Sequence, residues 1–164
     1  MSPVKYQGSC TATYAFSAIG AIEGVSVIFF KNQQEYSVQQ VIDCSQSYGN
    51  NGCYNGRMDN TFNYAKAIGV NSWSSYPYVG YAQSCKASSG YFRVNGSVAV
   101  GDCNSLANAL IGRPISVAVD GQNFQSYKTG IFKNCGTNLS LAVLLVGMTD
   151  TYWTLKNSWG TSWG

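Results

Sequence analysis

The chain of 164 residues contains no histidine. Imidazole is the usual general base of serine and cysteine hydrolases and the commonest metal ligand, so its absence excludes Ser–His catalysis, Cys–His catalysis and histidine-bound zinc. Charged residues are also scarce, because they make up 10% of the chain, against about 25% in an average domain. Hydrophobic residues make up 45%, and the composition therefore predicts a packed core rather than a disordered chain.

The charge pattern and the apolar runs exclude two further classes of protein. The net charge is +3, and the 10 basic residues are scattered along the sequence. Nucleic-acid binding usually needs a basic stripe, so we expect no nucleic-acid partner. The longest apolar runs, Val25–Phe30 and Leu141–Val146, fall far short of the roughly 20 residues that cross a bilayer, so we expect no membrane span.

Six cysteines are spread along the chain without any CxxC pair. Zinc ribbons need closely paired cysteines, so we expect neither a metal site nor a cofactor. An even number of cysteines favours disulfides in an oxidising compartment over free thiols in the cytosol. Two Asn-x-Ser sequons, at Asn95 and Asn138, are compatible with a secreted glycoprotein. We therefore expect the secretory pathway, with a lysosomal or extracellular location, although no signal peptide opens the sequence.

The hydrophobic periodicity divides the chain into a helical first part and a β-rich second part. A long central helix is predicted from about Thr13, a second helix after a Ser37 N-cap, and a third over Met58–Ala67. Strands are predicted at Phe92–Val100, Ile115–Val119, Leu141–Val146 and Tyr152–Leu155, with a short helix at Asn104–Leu110. This order predicts an α+β architecture with a helical subdomain over 1–91, a β-rich subdomain over 92–164 and a cleft between them.

Blocks of sequence along nearly the whole chain resemble the papain-like cysteine proteases of the cathepsin L type. The blocks include Pro3–Cys10, Ala15–Gly24, Val41–Cys44, Asn51–Cys53, Tyr76–Tyr78, Pro114–Val119, Cys135–Thr137, Leu155–Gly160 and Trp163–Gly164. They occur in the order in which the family carries them. The resemblance implies a papain-like fold whose second subdomain is β-barrel-like, and we expect that subdomain to be incomplete at its C-terminus.

The resemblance assigns the family's catalytic positions to residues that lack the family's chemistry. The nucleophile position falls on Thr13 and the base position on Leu141, whereas the oxyanion-hole glutamine and the orienting asparagine are kept as Gln7 and Asn157. A threonine hydroxyl is a weak nucleophile without an adjacent base. Losing the nucleophile or the base of such a triad costs about 10⁶ in turnover. We therefore predict an inactive homologue, a pseudoprotease, with a binding or structural role, for example as a subunit of a larger assembly.

Two enzymatic alternatives stay open. The first is an active papain-like cysteine endopeptidase that cleaves extended peptides, which would require the true sequence to differ at both Thr13 and Leu141. The second is a hydrolase that uses Thr13 itself, for which no family position supplies a base. In every case we expect a protein or peptide partner, whose identity the sequence does not name.

The resemblance also implies a peptide-binding cleft and a disulfide pattern. The cleft residues that it indicates are Tyr14, Asn55, Gly56, Met58 and Trp159. The disulfides that it implies are Cys10–Cys53 and Cys44–Cys85. Cys103 and Cys135 remain a candidate third pair, because sequence alone does not fix connectivity. Glu23 lies on the predicted central helix, and we expect it to be a structural residue rather than a catalytic acid.

Overall fold

Helices and strands occupy separate parts of the chain in the computed structural model, which describes residues 1–164. The helices are α1 (Thr13–Phe30), α2 (Val38–Cys44), α3 (Met58–Ala67) and α4 (Cys103–Leu110), with short 3-10 helices at Gln46–Tyr48 and Phe124–Ser126. The strands are β1 (Ile115–Val119), β2 (Leu141–Met148) and β3 (Trp153–Lys156). They form one antiparallel sheet in the order β1-β2-β3. The α+β class is as predicted, and the β-rich part is an open three-stranded sheet.

One predicted strand is wrong. Residues 92–100 contain a single isolated bridge, between Phe92 and Val70, and no other regular structure. Val98 within this segment is 89% exposed. Strand propensity reflects packing against a neighbouring strand, and beyond the bridge at Phe92 this segment has no neighbouring strand. The boundary between the two subdomains after residue 91 stays a prediction. Phe92 and Val94, which follow it, pack against the core of the helical part.

Helix α1 lies at the centre of the molecule. It contacts α2 and α3 on one side and β1 and β2 on the other. By length and composition alone it is apolar enough to cross a membrane, and 56% of it is buried inside the fold. A helix that is covered by two layers is apolar around most of its circumference, so this packing accounts for the composition of α1.

Two disulfides fix the loops of the helical part. Cys10 is bonded to Cys53, and Cys44 is bonded to Cys85, as the resemblance implied. Each bridge closes a loop of about 40 residues, and such a bridge typically stabilises a fold by about 2–4 kcal/mol. The candidate third pair does not form, because both remaining cysteines, Cys103 at the start of α4 and Cys135 in a loop, are free and exposed.

The glycine inside α1 marks a close contact between the helix and the chain that enters the sheet. A Cβ atom placed on Gly24 would overlap the ring of Pro114, which immediately precedes β1. A Cβ atom on Gly20, one turn earlier, would lie 2.9 Å from Cδ2 of Leu144. The proline ring is rigid, whereas the end of the leucine side chain can change rotamer.

These two glycines give a matched pair of variants. We expect Gly24→Ala to destabilise the protein by about 1–3 kcal/mol through overpacking, despite a gain of about 1 kcal/mol in helix propensity. We expect Gly20→Ala to be close to neutral, because Leu144 can move. Thermal unfolding followed by circular dichroism measures both, and equal melting temperatures for the two variants would contradict the assigned contact.

Candidate functional site

The positions that the resemblance assigns to nucleophile and base meet where α1 crosses β2. Thr13 is the first residue of α1, and its Oγ1 accepts a hydrogen bond of 3.3 Å from the backbone N–H of Ala142. One turn later, Oγ of Ser17 donates a hydrogen bond of 2.7 Å to the carbonyl oxygen of Val143. The hydroxyl of Thr13 therefore lies beside the residue that follows Leu141, and it is bonded to the backbone there.

Leu141 is a core residue of the sheet. It is the first residue of β2, pairs with Val119 of β1, and is 7% exposed. Its side chain belongs to the apolar cluster that includes Phe124 and Val143. A Cβ atom on Gly121 would lie 2.7 Å from Cβ of Leu141, so the backbone of the preceding loop is in close contact. An isobutyl group in this place offers no atom that could accept a proton.

Asn157 follows β3 and is 8% exposed. Its Oδ1 accepts a hydrogen bond of 2.8 Å from the backbone N–H of Ser158. Its Nδ2 is buried and has no hydrogen-bond partner. A buried donor left without a partner typically costs about 1–3 kcal/mol. The amide group that the resemblance assigns to orienting a base therefore makes no hydrogen bond through its Nδ2 atom.

Gln7 joins the N-terminal segment to the chain that follows β3. Its Nε2 donates to the carbonyl of Cys10 at 3.0 Å, and its Oε1 accepts from Oγ of Ser158 at 2.7 Å. The backbone N–H of Gln7 donates to the carbonyl of Ser158 at 2.9 Å. Since an amide nitrogen carries two hydrogens, one hydrogen of Nε2 is left unbonded by protein groups.

The predicted cleft residues differ in how far they are exposed. Asn55 is exposed, whereas Gly56, Met58 and Trp159 are half-buried. Met58 is turned towards α1, because its sulfur lies 3.4 Å from Oγ of Ser17. The ring of Trp159 lies edge-on to that of Trp163, with 5.1 Å between their centroids.

Tyr14 is buried, and its place among the cleft residues stays a prediction. Tyr14 is 3% exposed, and its hydroxyl donates a hydrogen bond of 2.8 Å to the carbonyl of Gly52. A Cβ atom on Gly56 would lie 2.6 Å from Cζ of Tyr14 and 2.7 Å from Oδ1 of Asn50. The ring therefore supports the loop before α3 from beneath, and burial raises the pKa of its phenol.

Sequence reasoning missed a polar junction behind the α1–β2 contact. Glu23 is 6% exposed, and its carboxylate accepts hydrogen bonds from Oγ of Ser2 and, at 3.0 Å, from the backbone N–H of Tyr36. Nζ of Lys156 donates to the carbonyl of Ser2 at 2.6 Å. These side chains line a cavity of about 30 Å³, room for about one water molecule. The available signal was a lone carboxylate on an otherwise apolar helix.

Burial has opposite consequences for the two charged groups of this junction. Burial raises the pKa of Glu23, although hydrogen bonds from Ser2 and Tyr36 and the charges of Lys156 and Lys5 act against it. Burial lowers the pKa of Lys156, against the attraction of Glu23. Each shift favours the neutral form, because water solvates a charge better than the protein interior does.

We expect Glu23 to make the stability of the protein depend on pH. Because the pKa of Glu23 is higher in the folded state, its contribution to the free energy of unfolding is fully present at pH values below the pKa of the unfolded state, about 4.3. That contribution is lost as the pH rises through the folded value. Glu23→Gln cannot titrate, so the unfolding free energy of the parent relative to this variant should fall from acidic to neutral pH. Urea titrations across this range measure it, and a constant or rising difference would contradict the assigned shift.

Comparisons with known proteins agree with this geometry. The whole chain, residues 1–164, matches the papain family of cysteine proteases. It is 42% identical over 164 residues to cathepsin L 2 of Paramecium tetraurelia, covering 98% of this chain and 52% of the relative. It is 43% identical over 180 residues to digestive cysteine proteinase 3 of Homarus americanus, covering 100% of this chain and 56% of that relative. The chain thus spans about half the length of these curated relatives.

Solved structures show the same fold. The crystal structure of the Carica candamarcensis cysteine protease CMS1MS2 in complex with E-64 superposes with a TM-score of 0.95 at 32% identity, covering all of this chain and 80% of that one. Digestive procathepsin L 3 of Tenebrio molitor superposes with a TM-score of 0.92 at 39% identity, covering 100% and 58%. Family match, sequence identity and fold agree, and the chain therefore belongs to the papain family of cysteine proteases.

Proposed function

We propose that this chain is an inactive member of the papain family that acts by binding a protein or peptide partner or as a structural subunit of a larger assembly. The observation that supports the proposal best is the chemistry of the two residues, Thr13 and Leu141, that occupy the nucleophile and base positions at the α1–β2 contact. Thr13 carries a hydroxyl whose hydrogen-bond partner is a backbone N–H, and Leu141 is an apolar core residue. A nucleophile needs an adjacent base to be activated, and the chain has no histidine that could move into this place.

The rest of the structure supports the interpretation that catalytic activity has been lost while the fold has been kept. Gln7 and Asn157 are kept, both disulfides are formed, and α1 is fixed to β2 by the hydroxyls of Thr13 and Ser17. The disulfides also support the proposed location in the secretory pathway, because such bonds persist in oxidising compartments. The competing candidate is an active cysteine endopeptidase, which the family membership favours and which would need a thiol at position 13.

Covalent labelling distinguishes these two candidates. We expect an epoxide that alkylates thiolates to leave position 13 unmodified, and we expect turnover of an extended fluorogenic peptide to be lower by about 10⁶ than that of an intact member of the family. Cys103 and Cys135 are exposed thiols, so the adduct must be located by peptide mass spectrometry in a Cys103→Ser, Cys135→Ser background. An adduct on residue 13, or peptide turnover that this epoxide abolishes, would contradict the proposal.

A rebuilt pair of residues is the positive control for this experiment. In the same background, Thr13→Cys alone should react slowly, whereas Thr13→Cys combined with Leu141→His should react faster. The reason is that an imidazolium beside a helix N-terminus lowers the pKa of a thiol. Equal rates for the two variants would show that positions 13 and 141 do not face each other.

Peptide binding in the cleft is tested best at Asn55. Substituting Gly56 would disturb Tyr14 and the fold, whereas the side chain of Asn55 is exposed. We expect Asn55→Trp to weaken binding of extended peptides at least tenfold by obstructing the cleft. The matched control is Asn63→Trp, an exposed asparagine on α3, which should leave the affinity unchanged. Fluorescence anisotropy measures both, and equal affinities for the two variants would remove the cleft from the proposal and leave the structural role.

A further inference from the structure

Two sequons remain that neither the fold nor the proposed function uses. Asn95-Gly96-Ser97 and Asn138-Leu139-Ser140 both lie in exposed segments without regular secondary structure. Glycan attachment needs an Asn-x-Ser or Asn-x-Thr sequence whose asparagine is accessible at the surface. Several other asparagines, such as Asn50 and Asn71, bind backbone or side-chain groups through their Nδ2 atoms, whereas the side chains of Asn95 and Asn138 make no hydrogen bond.

The segment around Asn138 is held firmly while its side chains are exposed. The backbone N–H of Asn138 donates to Oδ2 of Asp120 at 3.0 Å, and the backbone N–H of Ser140 donates to the carbonyl of Val119 at 3.0 Å. Leu139 between them is 69% exposed. The backbone is therefore fixed against the end of β1, and the side chains of Asn138 and Leu139 are left in solvent.

This segment leads directly into the candidate site. Ser140 immediately precedes Leu141, the first residue of β2. Three residues of extended chain span at most ~10 Å, so the backbone of Asn138 lies within that distance of the backbone of Leu141. A substituent on Asn138 would therefore be attached close to the start of β2, where the candidate site begins.

We propose that Asn138 carries an N-linked glycan, which is attached close to the start of β2. The inference rests on the secretory location in the proposed function and is independent of the loss of catalysis. The two disulfides support this location, because such bonds persist in oxidising compartments.

The reaction requires one co-reactant, an oligosaccharide linked to a lipid pyrophosphate. The Nδ2 atom of Asn138 forms a bond to the anomeric carbon of the first sugar, and the bond between that carbon and the pyrophosphate oxygen breaks. The lipid pyrophosphate leaves with its electron pair, and Nδ2 loses one proton. No oxidation or reduction takes place, and no group of this chain other than the sequon is consumed.

The test is made on full-length protein isolated from the cells that produce it. Treatment with peptide-N-glycosidase should increase the gel mobility and convert Asn138 to aspartate, which tryptic mass spectrometry detects. In the same cells, Asn138→Gln and Ser140→Ala should both lose the modification. Ser140→Thr keeps the sequon and should retain it, and Asn95→Gln should leave the peptide that contains residue 138 unchanged.

Each outcome decides the proposal. An unmodified Asn138 in parent protein that is folded and has its disulfides would overturn the glycan without touching the proposed loss of catalysis. A modification that persists in Ser140→Ala would overturn it as well, because the sequon would then not direct the modification. A thiol adduct on residue 13 would overturn the pseudoprotease proposal and leave the glycan standing, so the two failures are distinguishable.

Discussion

The structure depends on the contact between α1 and β2. The two positions on which the proposed function depends lie on these elements, since α1 supplies Thr13 and β2 begins at Leu141. The contact is made by close apolar packing, with Gly20 of α1 against Leu144, and by hydrogen bonds between α1 hydroxyls and the strand backbone. Because a packed core tolerates little displacement, this contact holds the helical part and the sheet in one arrangement whether or not chemistry takes place between them.

Under the proposed loss of catalysis, the same contact explains why the fold persists without the reaction that it would serve in an active relative. A base at position 141 must keep a polar atom free, whereas Leu141 is satisfied by the apolar cluster around Phe124. Asn157 keeps its backbone bond and loses only a partner for Nδ2. That loss costs about 1–3 kcal/mol, and burying a leucine side chain contributes about 1.5–3 kcal/mol in return. The exchange of a polar for an apolar residue is therefore close to neutral for folding.

Much of the architecture could be predicted from the sequence, and the failures have physical reasons. The bounds of α3 and β1 follow from periodicity and turn residues, and Ser37 does accept the N–H of Gln40 as an N-cap. The predicted strand at 92–100 does not form, because high strand propensity is not sufficient where no neighbouring strand is available for pairing. Tyr14 was assigned to the cleft by resemblance, and only the three-dimensional packing shows that its ring lies beneath Gly56. The junction of Ser2, Glu23 and Lys156 joins residues 154 positions apart, which no local pattern reveals.

Leu141 is a residue of the apolar core, and the unfolding free energy of Leu141→Ala is the sharpest measure of that role. Truncating a buried leucine leaves a cavity, so the account predicts a loss of about 2–5 kcal/mol in urea unfolding. The conservative change Thr13→Ser, which keeps the hydroxyl bonded to Ala142, should cost less than about 0.5 kcal/mol. If Leu141→Ala is as stable as the parent protein, residue 141 is not part of the core, and an apolar replacement of the base position no longer explains the proposed loss of catalysis.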